Sequence, residues 1–125
     1  MARQPKRGEQ VPPPPVGPEF DVRYATKEAL GFPELAKQFP GNAAEMVGRL
    51  KAAPLTRSDV QKPLKGRLAS RSIAGVVLPQ WQYDLSGGSR VWYCVDTEGR
   101  VVWLTYAGRH PSATTTQSRR ASTSR

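Results

Sequence analysis

The sequence predicts an α+β domain: an N-terminal strand, a two-helix hairpin and a three-stranded antiparallel meander, flanked by disordered tails. Three observations carry that expectation. Residues 80–110 read as three apolar-rich runs separated by two tight turns, residues 27–50 carry apolar side chains at helical spacing, and both ends of the chain lack large apolar side chains. Residues 1–18 hold Pro5, Pro12 to Pro15 and Pro18, and 111–125 are mainly Ser, Thr and Arg. Neither composition buries enough apolar surface to offset the entropy of ordering. The expected boundaries are therefore a Pro-rich basic tail over 1–18, a folded unit over 19–110 that contains every Trp, Tyr and Phe, and a second tail over 111–125.

Phe20, Val22 and Tyr24 alternate with Asp21 and Arg23, the period of a strand with one buried face. Thr26 is placed to cap the helix formers Lys27, Glu28, Ala29 and Leu30. Gly31 and Pro33 interrupt them, which leaves either a kinked helix or a fresh one from Pro33 to Phe39. Pro40-Gly41 is expected to end that element, with Asn42 and Glu45 at capping-box spacing opening the next. Ala43, Met46, Val47 and Leu50 then share one helix face. Residues 52–75 read as a loop that concentrates charge in Lys62-Pro63-Leu64-Lys65-Gly66-Arg67, extended by Arg71, with Leu64 as its apolar anchor.

In the meander, Trp81, Tyr83 and Leu85 alternate with Gln80, Gln82 and Asp84, and Ser86-Gly87-Gly88-Ser89 supplies residues able to reverse the chain. Arg90 to Asp96 and Arg100 to Tyr106 form the following strands, turned at Thr97-Glu98-Gly99. VVWLTYA, apolar on both faces, reads as a strand inside a covered sheet.

The formal charge is +9, from 19 Lys and Arg against 10 Asp and Glu, and more than half of the excess sits in the two tails. Such a balance serves solubility or an anionic partner, either nucleic acid or an acidic protein. Cys94, the one cysteine, sits in mid-strand as a small apolar side chain and suits a reducing compartment. No apolar run approaches the length of a membrane span, and the basic N-terminus lacks the apolar core of a signal peptide. A cytoplasmic protein without membrane attachment is expected. One His and one Cys give no zinc pattern, and no phosphate-binding loop or nucleophile elbow is present. No cofactor is expected.

The order strand, helical pair, Lys62-Pro63-Leu64-Lys65-Gly66, then Trp81-Gln82-Tyr83-Asp84-Leu85, Ser89-Arg90-Val91-Trp92-Tyr93, Val95-Asp96 and Tyr106-Ala107-Gly108-Arg109-His110 resembles the RelE/ParE superfamily of bacterial type II toxins over about 20–110. In its ribonuclease branch the resemblance implies a toxin that cuts mRNA on the ribosome and is neutralised by a cognate antitoxin protein. Cleavage there is metal-independent: a 2′-hydroxyl attacks the neighbouring phosphorus, with a base, an acid and cations for the developing charge. By that resemblance Arg90, Arg109 and His110 are the catalytic candidates, with both guanidinium groups meeting one phosphate, and Lys62, Lys65, Arg67 and Arg71 line a nucleic-acid-binding groove. The bland alternative for Arg90 and Arg109 is a pair of exposed strand-end cations. Two features depart from the ribonuclease branch: Gln82 and Asp84 stand where it carries basic residues, and PSATTTQ follows His110 in place of a C-terminal Tyr. They fit a binding protein that keeps the fold without the catalysis, or a relative of the gyrase-inhibiting branch, whose partner is DNA gyrase on DNA.

Overall fold

The computed structural model describes residues 4–109. It is α+β: two α-helices and a mixed sheet. In chain order come β1 (Asp21–Tyr24), a 3₁₀ turn (Lys27–Gly31), α1 (Phe32–Gln38), α2 (Pro40–Ala52), β2 (Gln61–Pro63), a second 3₁₀ turn (Gly66–Ala69), β3 (Ser70–Ile73), β4 (Val76–Asp84), β5 (Ser89–Asp96) and β6 (Val101–Arg109). The sheet runs β1-β6-β5-β4-β2, with β3 paired to the first half of β4. β4, β5 and β6 are the expected antiparallel meander, and β1 lies parallel to β6.

The helices cover one face. Ala29, Phe32, Leu35, Ala43, Met46, Val47 and Leu50 pack on Val22, Tyr24, Tyr83, Leu85, Val91, Tyr93, Val95, Val102 and Leu104, all buried. Each of the larger side chains contributes about 1.5–3 kcal/mol by leaving water. Thr26 caps the first 3₁₀ turn, its hydroxyl accepting from the Ala29 N–H at 3.2 Å. Gly31 and Pro33 do split the helical stretch, and α1 starts at Phe32.

Four expectations need correction. α2 begins at Pro40, two residues before the expected capping box. Asn42 instead donates to the Leu85 carbonyl at 2.8 Å, and Glu45 pairs with Arg49 at 2.9 Å. The basic segment is not a plain loop, since Lys62 and Pro63 belong to β2 and a β3–β4 hairpin follows. Ala74 and Gly75 turn that hairpin with φ of 51° and 86°, the left-handed pair a tight hairpin requires. The sheet therefore has more strands than a meander plus one.

Residues 4–18, expected to be disordered, form a strap along the outer edge of β1. Gly8 N–H donates to Tyr24 O at 2.6 Å, Tyr24 N–H to Glu9 O at 3.0 Å and Val11 N–H to Val22 O at 2.7 Å. Val11 is 2% exposed within the core, and Lys51 donates to the Pro13 and Pro14 carbonyls at 3.3 and 3.1 Å while pairing with Glu19 at 3.4 Å. One apolar anchor suffices because the ladder partners and the ammonium come from distant parts of the chain. The tail over 111–125 and His110 lie outside the described residues.

On the second face of the sheet, side chains bridge two strands: the Thr105 hydroxyl of β6 donates to Gln80 Oε1 of β4 at 2.6 Å across β5. Thr105 is the extra residue of a bulge: Trp92 pairs with Tyr106 and Tyr93 with Leu104, and bulges increase local twist.

Candidate nucleic-acid interface

Arg90 stands second in β5, directly opposite Asp84 of β4. Its Nε lies 3.2 Å from Asp84 Oδ1, close enough for ion pairing but off the line of a hydrogen bond. Its Nη1 donates to the carbonyls of Ser86 at 2.9 Å and Ser89 at 3.2 Å, and the side chain is 16% exposed. The same carboxylate accepts from Gln82 Nε2 at 2.9 Å and lies 3.7 Å from Lys62 Nζ. Trp92 Nε1 donates to Gln82 Oε1 at 3.0 Å, and the Trp92 and Tyr106 rings sit 5.3 Å apart. Asp84 is therefore the hub of a polar cluster that already consumes Arg90 and half-occupies Lys62.

Arg109 does not join this cluster. It pairs with Ser89, one position along from the Arg90–Gly108 pair, and successive strand residues alternate faces. An unbroken ladder would carry residue 109 on the face of Arg90. The extra residue Thr105 shifts the parity and moves Arg109 to the other side, a one-residue slip with the consequence such slips always have. The expected shared phosphate pocket of Arg90 and Arg109 is not formed.

The cations of the β2–β3 region are disposed differently. Lys65, Arg67 and Arg71 are exposed. Among the described residues, ion pairs join Arg23 to Asp21, Lys37 to Glu34, Arg49 to Glu45, Lys51 to Glu19, and Lys62 and Arg90 to Asp84. None involves Lys65, Arg67 or Arg71. A buried chain of hydrogen bonds holds this region in place. Thr26 Oγ1 donates to Thr105 O at 2.7 Å, Thr105 Oγ1 to Gln80 Oε1, and Gln80 Nε2 to Leu68 O at 2.9 Å. It links the first 3₁₀ turn, through β6 and β4, to the segment bearing Lys65 and Arg67.

Two further cations, Arg7 and Lys27, escaped the sequence reading. They line one polar cleft with Arg71, and nothing in sequence spacing connects positions 7, 27 and 71.

The remaining reactive groups are structural. Burial pushes the Cys94 thiol up to about 11, against a partial pull downward from Arg71, so it is no thiolate near neutrality. Burial likewise raises Tyr93 and Tyr106. The Tyr93 hydroxyl donates to Pro54 O at 2.8 Å and accepts from Gln61 Nε2 at 3.2 Å beneath the helices, away from the polar face. Among the described residues no group of three His, Cys, Asp or Glu is placed to hold a metal ion, and no helix is long and apolar enough to cross a membrane. No family model, curated protein or solved structure matches the chain.

Proposed function

We propose that this chain is a non-catalytic binding protein of RelE/ParE-like architecture that engages nucleic acid through Lys65, Arg67 and Arg71, with Lys62 at the margin. The observation that carries the reading is the contrast in charge pairing. Arg90 is matched to Asp84 and to backbone carbonyls, whereas Lys65, Arg67 and Arg71 are exposed with no carboxylate partner among the described residues. Exposed unpaired cations on a fixed segment suit phosphate contacts, which give affinity and salt dependence without chemistry.

The test is fluorescence anisotropy of labelled single-stranded RNA and duplex DNA over a salt series, with products resolved on a denaturing gel. Binding without cleavage is expected, and Lys65→Ala, Arg67→Ala and Arg71→Ala together should flatten the single-strand salt slope by about 2, at roughly 0.7 per neutralised phosphate. Unchanged slopes in that variant would refute the interface. Rapid ribosome-dependent transcript cleavage with growth arrest would instead favour the ribonuclease toxin, with Arg90, Arg109 and His110 at work and an antitoxin as partner. A DNA-damage response with intact transcripts would favour the gyrase-directed form.

A further inference from the structure

We propose that the cleft between the strap, the first 3₁₀ turn and β3 is a phosphate site formed by Arg7, Lys27 and Arg71. The cleft, of about 360 Å³, is lined by Arg7, Ala25 to Glu28 and Arg71 to Ala74, at the small end of the range for ligand pockets. Three cations from segments far apart in sequence border it, against one carboxylate, Glu28. None of the three has an ion-pair partner among the described residues, while six other cations do. Gathering like charges is unfavourable unless an anion is taken up between them.

Each cation is set on a fixed backbone. The Gly8 N–H bond to Tyr24 O and the Glu9 N–H bond to Lys6 O, at 2.6 and 3.0 Å, hold the turn that carries Arg7. Lys27 follows Thr26, whose hydroxyl is tied at both ends. Arg71 pairs with Leu78 in the β3–β4 hairpin. Two guanidinium groups and an ammonium around one cleft favour phosphate over a carboxylate ligand, because the several oxygens of a phosphate can engage all three cations at once while a carboxylate offers two. The phosphate is either a backbone or terminal group of the nucleic acid in the proposed function, on which only that source rests, or an independent small phosphate. Arg71 belongs to both sites.

The experiment titrates the full chain with pyrophosphate, and separately with a single-stranded RNA oligonucleotide with and without a 5′-phosphate, by calorimetry and amide chemical shifts. Pyrophosphate is expected to shift the amides of Lys27 and Ser72. Arg7→Ala with Lys27→Ala, both exposed positions, should weaken it by about tenfold or more at unchanged melting temperature, a loss of roughly 1.4 kcal/mol. Lys65→Ala with Arg67→Ala should leave it intact, and Glu28→Gln should tighten it. Pyrophosphate binding indifferent to Arg7 and Lys27, or absent, overturns the site even if the oligonucleotide binds. Pyrophosphate binding lost with those two residues, beside an oligonucleotide that does not bind, upholds the site and refutes the nucleic-acid reading. A gain from the 5′-phosphate that Arg7→Ala with Lys27→Ala abolishes identifies the terminal group as the source.

Discussion

Replacing Asp84 by Asn keeps the shape of the polar hub and removes its charge, which makes it the sharpest probe of the site. The Asp84–Arg90 pair, with side chains 23% and 16% exposed, falls between a surface ion pair worth under about 1 kcal/mol and a buried one whose disruption costs about 3–5 kcal/mol. Arg90 retains the Ser86 and Ser89 carbonyls after the change, and the Lys62 ammonium at 3.7 Å adds little because Lys62 is half exposed. A loss of about 2 kcal/mol follows, or about 10 °C in melting temperature for a domain of this size. Urea unfolding followed by tryptophan fluorescence measures it. The same variant frees Lys62, at the margin of the proposed interface, so its single-strand salt slope should steepen by up to about 0.7. Unfolding midpoint and salt slope both unchanged would mean that Asp84 does not hold Arg90, and the reason for setting catalysis aside would fall with it.

Three further outcomes are expected. Val11→Ala should cost about 1–2 kcal/mol and speed hydrogen exchange at the Tyr24 amide, which bonds to Glu9 O; an unaffected amide would show the strap is not docked. Tyr93→Phe removes the donor to Pro54 O and leaves the buried Gln61 amide short of an acceptor, for a loss of about 1–2 kcal/mol by denaturant titration. Stability should decline as pH rises above 9, because the thiol of Cys94 titrates near 9.0 when unfolded and about 11 when folded, and Tyr24 near 10.0 and about 12. The unfolded chain therefore loses these protons first. The stabilisation is full below the unfolded values and is lost through the folded ones, and Cys94→Ala should delay the onset of the decline.

The meander and β1 were legible because their side chains alternate at period two between glycine-bearing turns, and the face of α2 because Ala43, Met46, Val47 and Leu50 repeat at helical spacing. β2 and β3 were not. One is three residues long with Pro63 in it, the other is Ser-Arg-Ser-Ile with three exposed positions, and their pairing is dictated by the long β4. The turn at Ala74-Gly75 lacks the usual Asn or Asp. The strap was hidden for a similar reason, since its order comes from the edge of β1 and from Lys51 forty residues on. For the site, the sequence showed the run of cations between Lys62 and Arg71 and put Arg90 and Arg109 on adjoining strands, as the β5–β6 ladder has them, but the shared phosphate pocket expected of the two arginines is not there. It missed the parity change at Thr105, because no local pattern marks where a ladder gains a residue.

The strap also governs how this molecule meets copies of itself. A bare outer strand would present a row of donors and acceptors to any passing chain, but on the β1 side the protein has already spent those groups on its own residues 8–11. At the opposite end, β2 and β3 offer short runs interrupted by the Leu64–Ala69 excursion, too brief to template a continuous ladder. Cutting away its first dozen residues should therefore lay the β1 edge bare and raise self-association, read as a concentration-dependent increase in light scattering relative to the full chain.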